Sequence, residues 1–139
     1  MIVLDTNVVS ELMRVEVAPE VREWFAARNP NELWLTVLTI AEVNFGIALL
    51  PDGKRKAAYT EQFEQIVSVE FGGRTLDFTA TSAVHYSRIA AHRRQSGRPM
   101  QPSDAQIAAI CFDARYRLAT RNIRDFEDCG IELINPWSP

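Results

Sequence analysis

With 139 residues, 47% of them apolar and 24% charged, the chain has the length of a single domain and the composition of an ordinary soluble globular protein. A net charge of -3 excludes broad coating of a polyanion, which depends on many Lys and Arg contacts to phosphate, so any nucleic acid must bind locally or through a metal. No apolar run approaches the roughly twenty residues of a membrane span and no leader pattern opens the chain, so a cytoplasmic location is expected; two cysteines without a CxxC or Cys/His cluster point to neither a zinc site nor a disulfide framework.

Ile2, Val3 and Leu4, followed by Asp5-Thr6-Asn7 and then Val8, Val9, Leu12 and Met13, read as a short buried strand turning into an amphipathic helix. Asp5 then stands at the strand's carboxyl end, the rim at which open parallel sheets bind ligands, unless it only caps the helix. Pro19 at a first turn, with Val21, Trp24 and Phe25 at core spacing, predicts a second helix of about ten residues, ended by Asn29-Pro30-Asn31. Leu33 to Val37 reads as strand two. Thr39-Ile40-Ala41-Glu42 has capping-box spacing, which predicts a buried helix beginning near Glu42. Pro51-Asp52-Gly53 turns the chain into a longer helix from Lys54 to about Val69, whose Lys54-Arg55-Lys56 run reads as a solvated face.

Gly72-Gly73 precedes a third strand, Arg74 to Phe78, and Thr79 opens a helix that stops near Gly97. His85 and His92 on that helix lack a partner at ligand spacing and read as ordinary polar residues. Pro102-Ser103-Asp104 introduces a small-residue helix carrying Ala105, Ile107, Ala108, Ile110 and Cys111, with Ser103 as candidate N-cap and Asp104 in its first turn. Leu118 to Thr120 and Ile131 to Ile134 supply a fourth and a fifth strand. Strands alternating with helices predict an α/β sandwich with a mainly parallel five-stranded sheet and helices on both faces, in a single domain over 1–139.

Asp5, Glu42, Asp104 and Asp125 each follow a strand end or open a helix, so helices running back from one rim would bring the four together. Singly, each has a plain reading: Glu42 as half of a capping box, Asp104 as a first-turn acid complementing the helix dipole, Asp125 as a loop acid. Together, carboxylates in one place repel and need a compensating cation, and a hard divalent ion such as Mg²⁺, held by one or two carboxylates and otherwise by water and substrate phosphate, is the natural partner. Such an ion supports phosphodiester hydrolysis by an activated water. No Ser, Cys or His nucleophile with an evident base competes, and no GxxxxGK[ST] loop is present.

These motifs resemble the PIN-domain ribonucleases of the VapC and FitB toxin group, through Ile2 to Asn7, Thr39 to Glu42, Ser103 to Ala109, Ala119 to Phe126 and Asn135-Pro136-Trp137, a likeness running almost end to end. The resemblance implies a PIN-like three-layer sandwich and a Mg²⁺-dependent endoribonuclease toxin, with Mn²⁺ as the alternative ion. It implies that Asp5, Glu42 and Asp104 form the acidic centre, with Asp5 and Asp104 on the metal and Thr6 or Asn7 supporting the first acid. Relatives place a fourth acid at the position of Asn122 or of Asp125; here only Asp125 carries charge, leaving Asn122 to orient a water or ligand. Implied partners are an RNA substrate, a second copy of the chain, a cognate antitoxin covering the site, and operator DNA reached through that antitoxin. Arg121 and Arg124, with Arg93, Arg94 and Arg98, are candidate phosphate contacts or else a solvated face. The rival readings are a catalytically weak PIN-fold module that binds RNA or protein, and a phosphatase or receiver-like domain, which the missing Asp-x-Asp pair at Asn7 disfavours.

Overall fold

Ile2, Val3 and Leu4 form β1 (Ile2–Leu4), the middle strand of the sheet, and none of the three has any exposed surface. A strand covered on both faces takes an unbroken apolar run in place of an alternating one, and each such side chain contributes about 1.5–3 kcal/mol of burial. A computed structural model describes residues 1–139. From β1 the chain runs through α1 (Thr6–Leu12), α2 (Pro19–Ala26) and one 3-10 turn (Pro30–Glu32) to β2 (Leu33–Thr36). It continues with α3 (Val37–Ala48), α4 (Lys54–Gln65), a π-turn (Ile66–Glu70) and β3 (Thr75–Leu76). Then come α5 (Ala80–Gln95), α6 (Pro102–Ala114), β4 (Arg117–Ala119), the single-turn α7 (Ile123–Phe126) and β5 (Leu133–Ile134).

The strands stand in the order β3-β2-β1-β4-β5, and every neighbouring pair is parallel. Because successive side chains in a strand point to opposite faces, the sheet divides its residues between two cores. Ile2, Leu4, Leu33, Leu35 and Ala119 join Val8, Trp24, Ile47 and Phe63 on one face. Val3 and Leu118 join Ile89, Ile107, Ala108 and Phe126 on the other. Helices α1 to α4 therefore cover one side and α5 and α6 the other, the three-layer arrangement expected. The small residues Ala105, Ala108 and Ala109 let α6 lie close against both α5 and the sheet.

Three expected helix starts or ends move. α3 begins at Val37, five residues ahead of Glu42, because the cap is Thr36, whose hydroxyl accepts the Thr39 N–H at 3.2 Å. Glu42 is therefore in the second turn and is no part of a capping box. α6 starts directly after Gln101 with Pro102 as its first residue, and Ser103 makes no capping bond. The helix from Lys54 ends as α-helix at Gln65 and widens over its last five residues into the π-turn, closed by the Phe71 N–H donating to the Ile66 carbonyl at 2.9 Å. No helix is long and apolar enough to cross a membrane.

Candidate active site

The chain goes outward from β1 through β2 and β3, then crosses to the opposite side of β1 to build β4 and β5. The carboxyl ends of β1 and β4 thus flank the switch point of the sheet, the crevice in which open α/β folds bind ligands. Asp5 is pinned there. Its N–H donates to the Ala119 carbonyl at 2.9 Å; its Oδ1 accepts the Thr6 N–H at 2.8 Å, and its Oδ2 accepts the Thr120 hydroxyl at 2.8 Å and the Asn7 side-chain amide at 3.1 Å. One carboxylate oxygen caps α1, as expected, and the other is tied across the switch point to the end of β4. Asn7 completes the tie, since its Oδ1 accepts the Arg121 N–H at 3.2 Å. Thr6 and Thr39 share a hydroxyl contact of 3.1 Å that fixes α1 against α3.

Burial pushes the Asp5 carboxyl above its ordinary range, the hydrogen bonds from Thr120 and Thr6 pull it back in part, and the charge of Glu42 raises it again. Asp104 is pushed up to about 6, first by burial, then by the charges of Asp5, Asp125 and Glu42; Arg93 offsets this only partly, and no hydrogen bond does. Glu42 Oε1 is buried with no hydrogen-bond partner, which is costly for a carboxylate oxygen. The three acids line one cavity of about 530 Å³ at the carboxyl rim, with Thr6, Asn7, Arg121 and Asn122 in its wall. Three carboxylates sharing a cavity, one of them raised to about 6 and one with an orphaned oxygen, form a donor set that fits a hard divalent cation. No three of the His, Cys, Asp and Glu side chains close around a single point, so protein atoms alone do not complete a coordination shell. Mg²⁺ does not require that, since it keeps several waters and takes one or two carboxylates.

Thr120 holds Asp5 by the shortest side-chain bond in this network and is itself fully buried. Thr120→Val keeps the volume and deletes the donor. Partners that orient a ligand carboxylate typically contribute about 10–100-fold in metal affinity or activity, so a fall of that size in Mg²⁺ affinity is expected, with an unchanged far-UV circular dichroism spectrum as the control for folding.

Asp125 and Arg124 are exposed on α7 and do not line the cavity, although the charge of Asp125 reaches Asp104. Asn122 stands in the cavity wall and brings no charge to it. Arg93 is neither a phosphate contact nor a solvated residue: it is buried, and its guanidinium donates to the carbonyls of Arg98 at 2.8 Å, Asp125 at 3.0 Å and Glu127 at 2.8 Å. Arg98 is paired with Glu127 at 2.6 Å and Asp128 at 2.9 Å, and Arg94 is exposed. Arg121 alone of the five stands at the cavity, its guanidinium lying 5.1 Å from the centre of the Trp137 ring. His85 pairs with Asp113 at 3.5 Å, away from the acids. Both thiols are buried and pushed up by burial, so neither serves as a thiolate nucleophile.

Sequence reasoning missed Thr120, Thr39, Glu11, Arg14 and Trp137 as members of the site or its frame. Glu11 and Arg14 lie in the cavity wall, where Glu11 accepts the Ala18 N–H at 2.9 Å and so fixes the turn into α2. Only the strand order could have pointed to Thr120, because it fixes which strand end lies beside Asp5.

Residues 2–131 match the PIN domain family. The chain is 37% identical over 139 residues to the VapC ribonuclease Y4jK of Sinorhizobium fredii, covering 100% of this chain and 99% of that protein. The crystal structure of FitAcB from Neisseria gonorrhoeae superposes with a TM-score of 0.93 at 33% identity over 100% of both chains. The structure of FitAB bound to an IR36 DNA fragment gives a TM-score of 0.92 at 34% identity, covering 99% of this chain and 96% of that one. A parallel sandwich with carboxylates at its switch point, matched over nearly its whole length, makes this chain a PIN domain. It belongs to the VapC and FitB toxin group of that family.

Proposed function

We propose that the chain, as one PIN domain over 1–139, is an endoribonuclease toxin that hydrolyses RNA phosphodiester bonds with the help of Mg²⁺, or of Mn²⁺ in its place. The observation that carries this reading is the convergence of Asp5, Glu42 and Asp104 on one cavity at the switch point. Asp5 and Asp104 would hold the ion, which when bound supplies charge neutralisation for the phosphoryl group and an activated water. The rest of the work belongs to side chains. Thr120 and Asn7 hold one oxygen of Asp5 and the Thr6 N–H the other, the Thr6–Thr39 contact keeps α1 in register with α3, and Glu42 holds an unpaired acceptor able to orient a water. Arg121 is clamped twice, at its backbone by Asn7 and at its guanidinium by Trp137, and supplies a preorganised cation for a substrate phosphate at the cavity's edge.

The complex of FitAB with a DNA fragment supports two partner assignments, a cognate antitoxin and operator DNA engaged through it; a second copy of the chain and a cytoplasmic location complete the proposal. Asn122 in the cavity wall and Asp125 outside it favour the second reading, a catalytically weak module that binds RNA or protein. Cleavage of cellular RNA by purified antitoxin-free protein, with Mg²⁺ present or chelated, separates the two. Discrete fragments that require the ion are expected; intact RNA from folded protein in the presence of both Mg²⁺ and Mn²⁺ would move the assignment to the binding module.

A further inference from the structure

Beside the acid-lined cavity lies a second one of about 300 Å³, enclosed by α1, α3 and α4. The two share Thr6, Ser10 and Glu42, so a chain whose phosphate sits among the acids has a neighbouring group within reach of the second space. Its far walls are apolar, from Val43 and Ile47 of α3 and Met13 beyond the end of α1, while the shared end offers two hydroxyls and a carboxylate. On α4, Arg55 lies over Tyr59 with its guanidinium 5.6 Å from the ring centre. Arg55 is exposed, as expected of its run, and sets a planar cation over an aromatic ring at a cavity mouth. None of the ion pairs engages Arg55.

Gly46 is the telling residue. It lies inside α3, where glycine costs about 1 kcal/mol relative to alanine. Its φ is not positive, and a Cβ added to it would meet no atom within 4 Å, so neither backbone conformation nor packing asks for a glycine. What its missing side chain leaves open is the second cavity.

We infer that this cavity is a nucleobase subsite, which takes one unpaired base of the RNA next to the phosphate held at the acids. The inference rests on the ribonuclease reading above. Single-stranded bases are recognised by stacking on aromatic or arginine planes and by hydrogen bonds to their edges, and the cavity supplies both, with apolar walls for the ring faces and hydroxyl and carboxylate groups for the edge. A volume at the lower end of the range for small-ligand sites suits one base.

The test uses whole protein, free of antitoxin and in chelator so that nothing is cleaved. Fluorescence anisotropy measures the binding of single-stranded oligoribonucleotides in which one abasic nucleotide is walked along the chain. Native protein should lose about tenfold in affinity at one position of the abasic nucleotide, the loss of one stacked base. Gly46→Leu, which fills the space, and Tyr59→Ala, which removes the stacking plane, should abolish that positional dependence, and Gly46→Leu should melt no lower than native protein. Uniform dependence on abasic position in native protein, or an unchanged profile in both variants, overturns the subsite. So does a Gly46→Leu protein that binds RNA normally and fails only to bind a protein partner. Positional dependence lost in the variants, without cleavage when Mg²⁺ is restored to native protein, would keep the subsite and reject the nuclease; cleavage without positional dependence would do the reverse.

Discussion

Asp104→Asn is expected to abolish RNA cleavage and at the same time to make the metal-free protein more stable. The carboxyl of Asp104 is pushed up to about 6 by burial and by three neighbouring anions, against an ordinary value of 3.8. Between those two pH values the native chain holds a proton that the unfolded chain has released, so stability falls as pH rises through this window and stays at its lower level above it. Asp5, also raised, acts in the same direction. An asparagine removes the charge and with it the penalty; allowing for solvent at this half-buried position, a gain of about 1 kcal/mol is expected, roughly 3–5 °C in Tm at pH 7.5. Thermal melts with and without Mg²⁺ check both halves of the claim. Native protein should melt higher with the ion, by an amount that shrinks below pH 6 as protons compete for Asp104, whereas Asp104→Asn should melt higher without it and respond weakly to it. The loss in cleavage should exceed the roughly 10–100-fold expected for a residue that only supports a ligand. An asparagine variant less stable than native protein in chelator, with native metal response, would remove Asp104 from the site.

That opposition of stability and function explains how much of the site could be read from the chain. Asp5, Glu42 and Asp104 were legible because each belongs to a local pattern, a strand end or a helix opening, and a shared rim follows from parallel topology. Glu42 reaches the cavity for a different reason than its spacing suggests. β2 runs into α3 without a loop, and Val37 and Leu38 read equally well as strand, so the capping bond of Thr36 passes unseen and Thr39-x-x-Glu42 takes its place. Thr39 is instead buried and spends its hydroxyl on Thr6. Of the partners of Asp5, the neighbours Thr6 and Asn7 were legible and the distant one was not. Thr120 lies 115 residues away in sequence, and only the order β1-β4 in the sheet puts it beside the first acid. The same holds for the open space at Gly46, since a helical glycine in a sequence does not say what its missing side chain faces.

Arg93 carries the second large effect, and it acts first on the fold. In sequence it is one of several arginines near Gly97, with nothing to separate it from a phosphate contact. In the structure its side chain is nine-tenths buried or more and fans out to the carbonyls of Arg98, Asp125 and Glu127, with the Cys129 sulfur at 3.9 Å. No carboxylate pairs with it directly. Three carbonyls, one from the turn after α5, one within α7 and one just after it, stand in for the water a guanidinium has lost, and bonds to a charged donor contribute about 1.5–3 kcal/mol each before desolvation is subtracted. Arg93→Met removes the charge and leaves those carbonyls facing an apolar chain; a loss of about 3 kcal/mol is expected, measured as a lower urea midpoint at unchanged m-value. Arg93→Lys should recover little of it, because a single ammonium cannot reach acceptors spread around a planar fork. The consequence for the site runs through α7, since the same guanidinium fixes the backbone at Asp125 and is the one cation that lowers Asp104. Removing it should lift the Asp104 carboxyl above 6 and move the lower limb of the pH profile of cleavage upward. If Arg93 were instead a phosphate contact, Arg93→Met would leave the urea midpoint alone and weaken RNA binding with a shallower salt dependence.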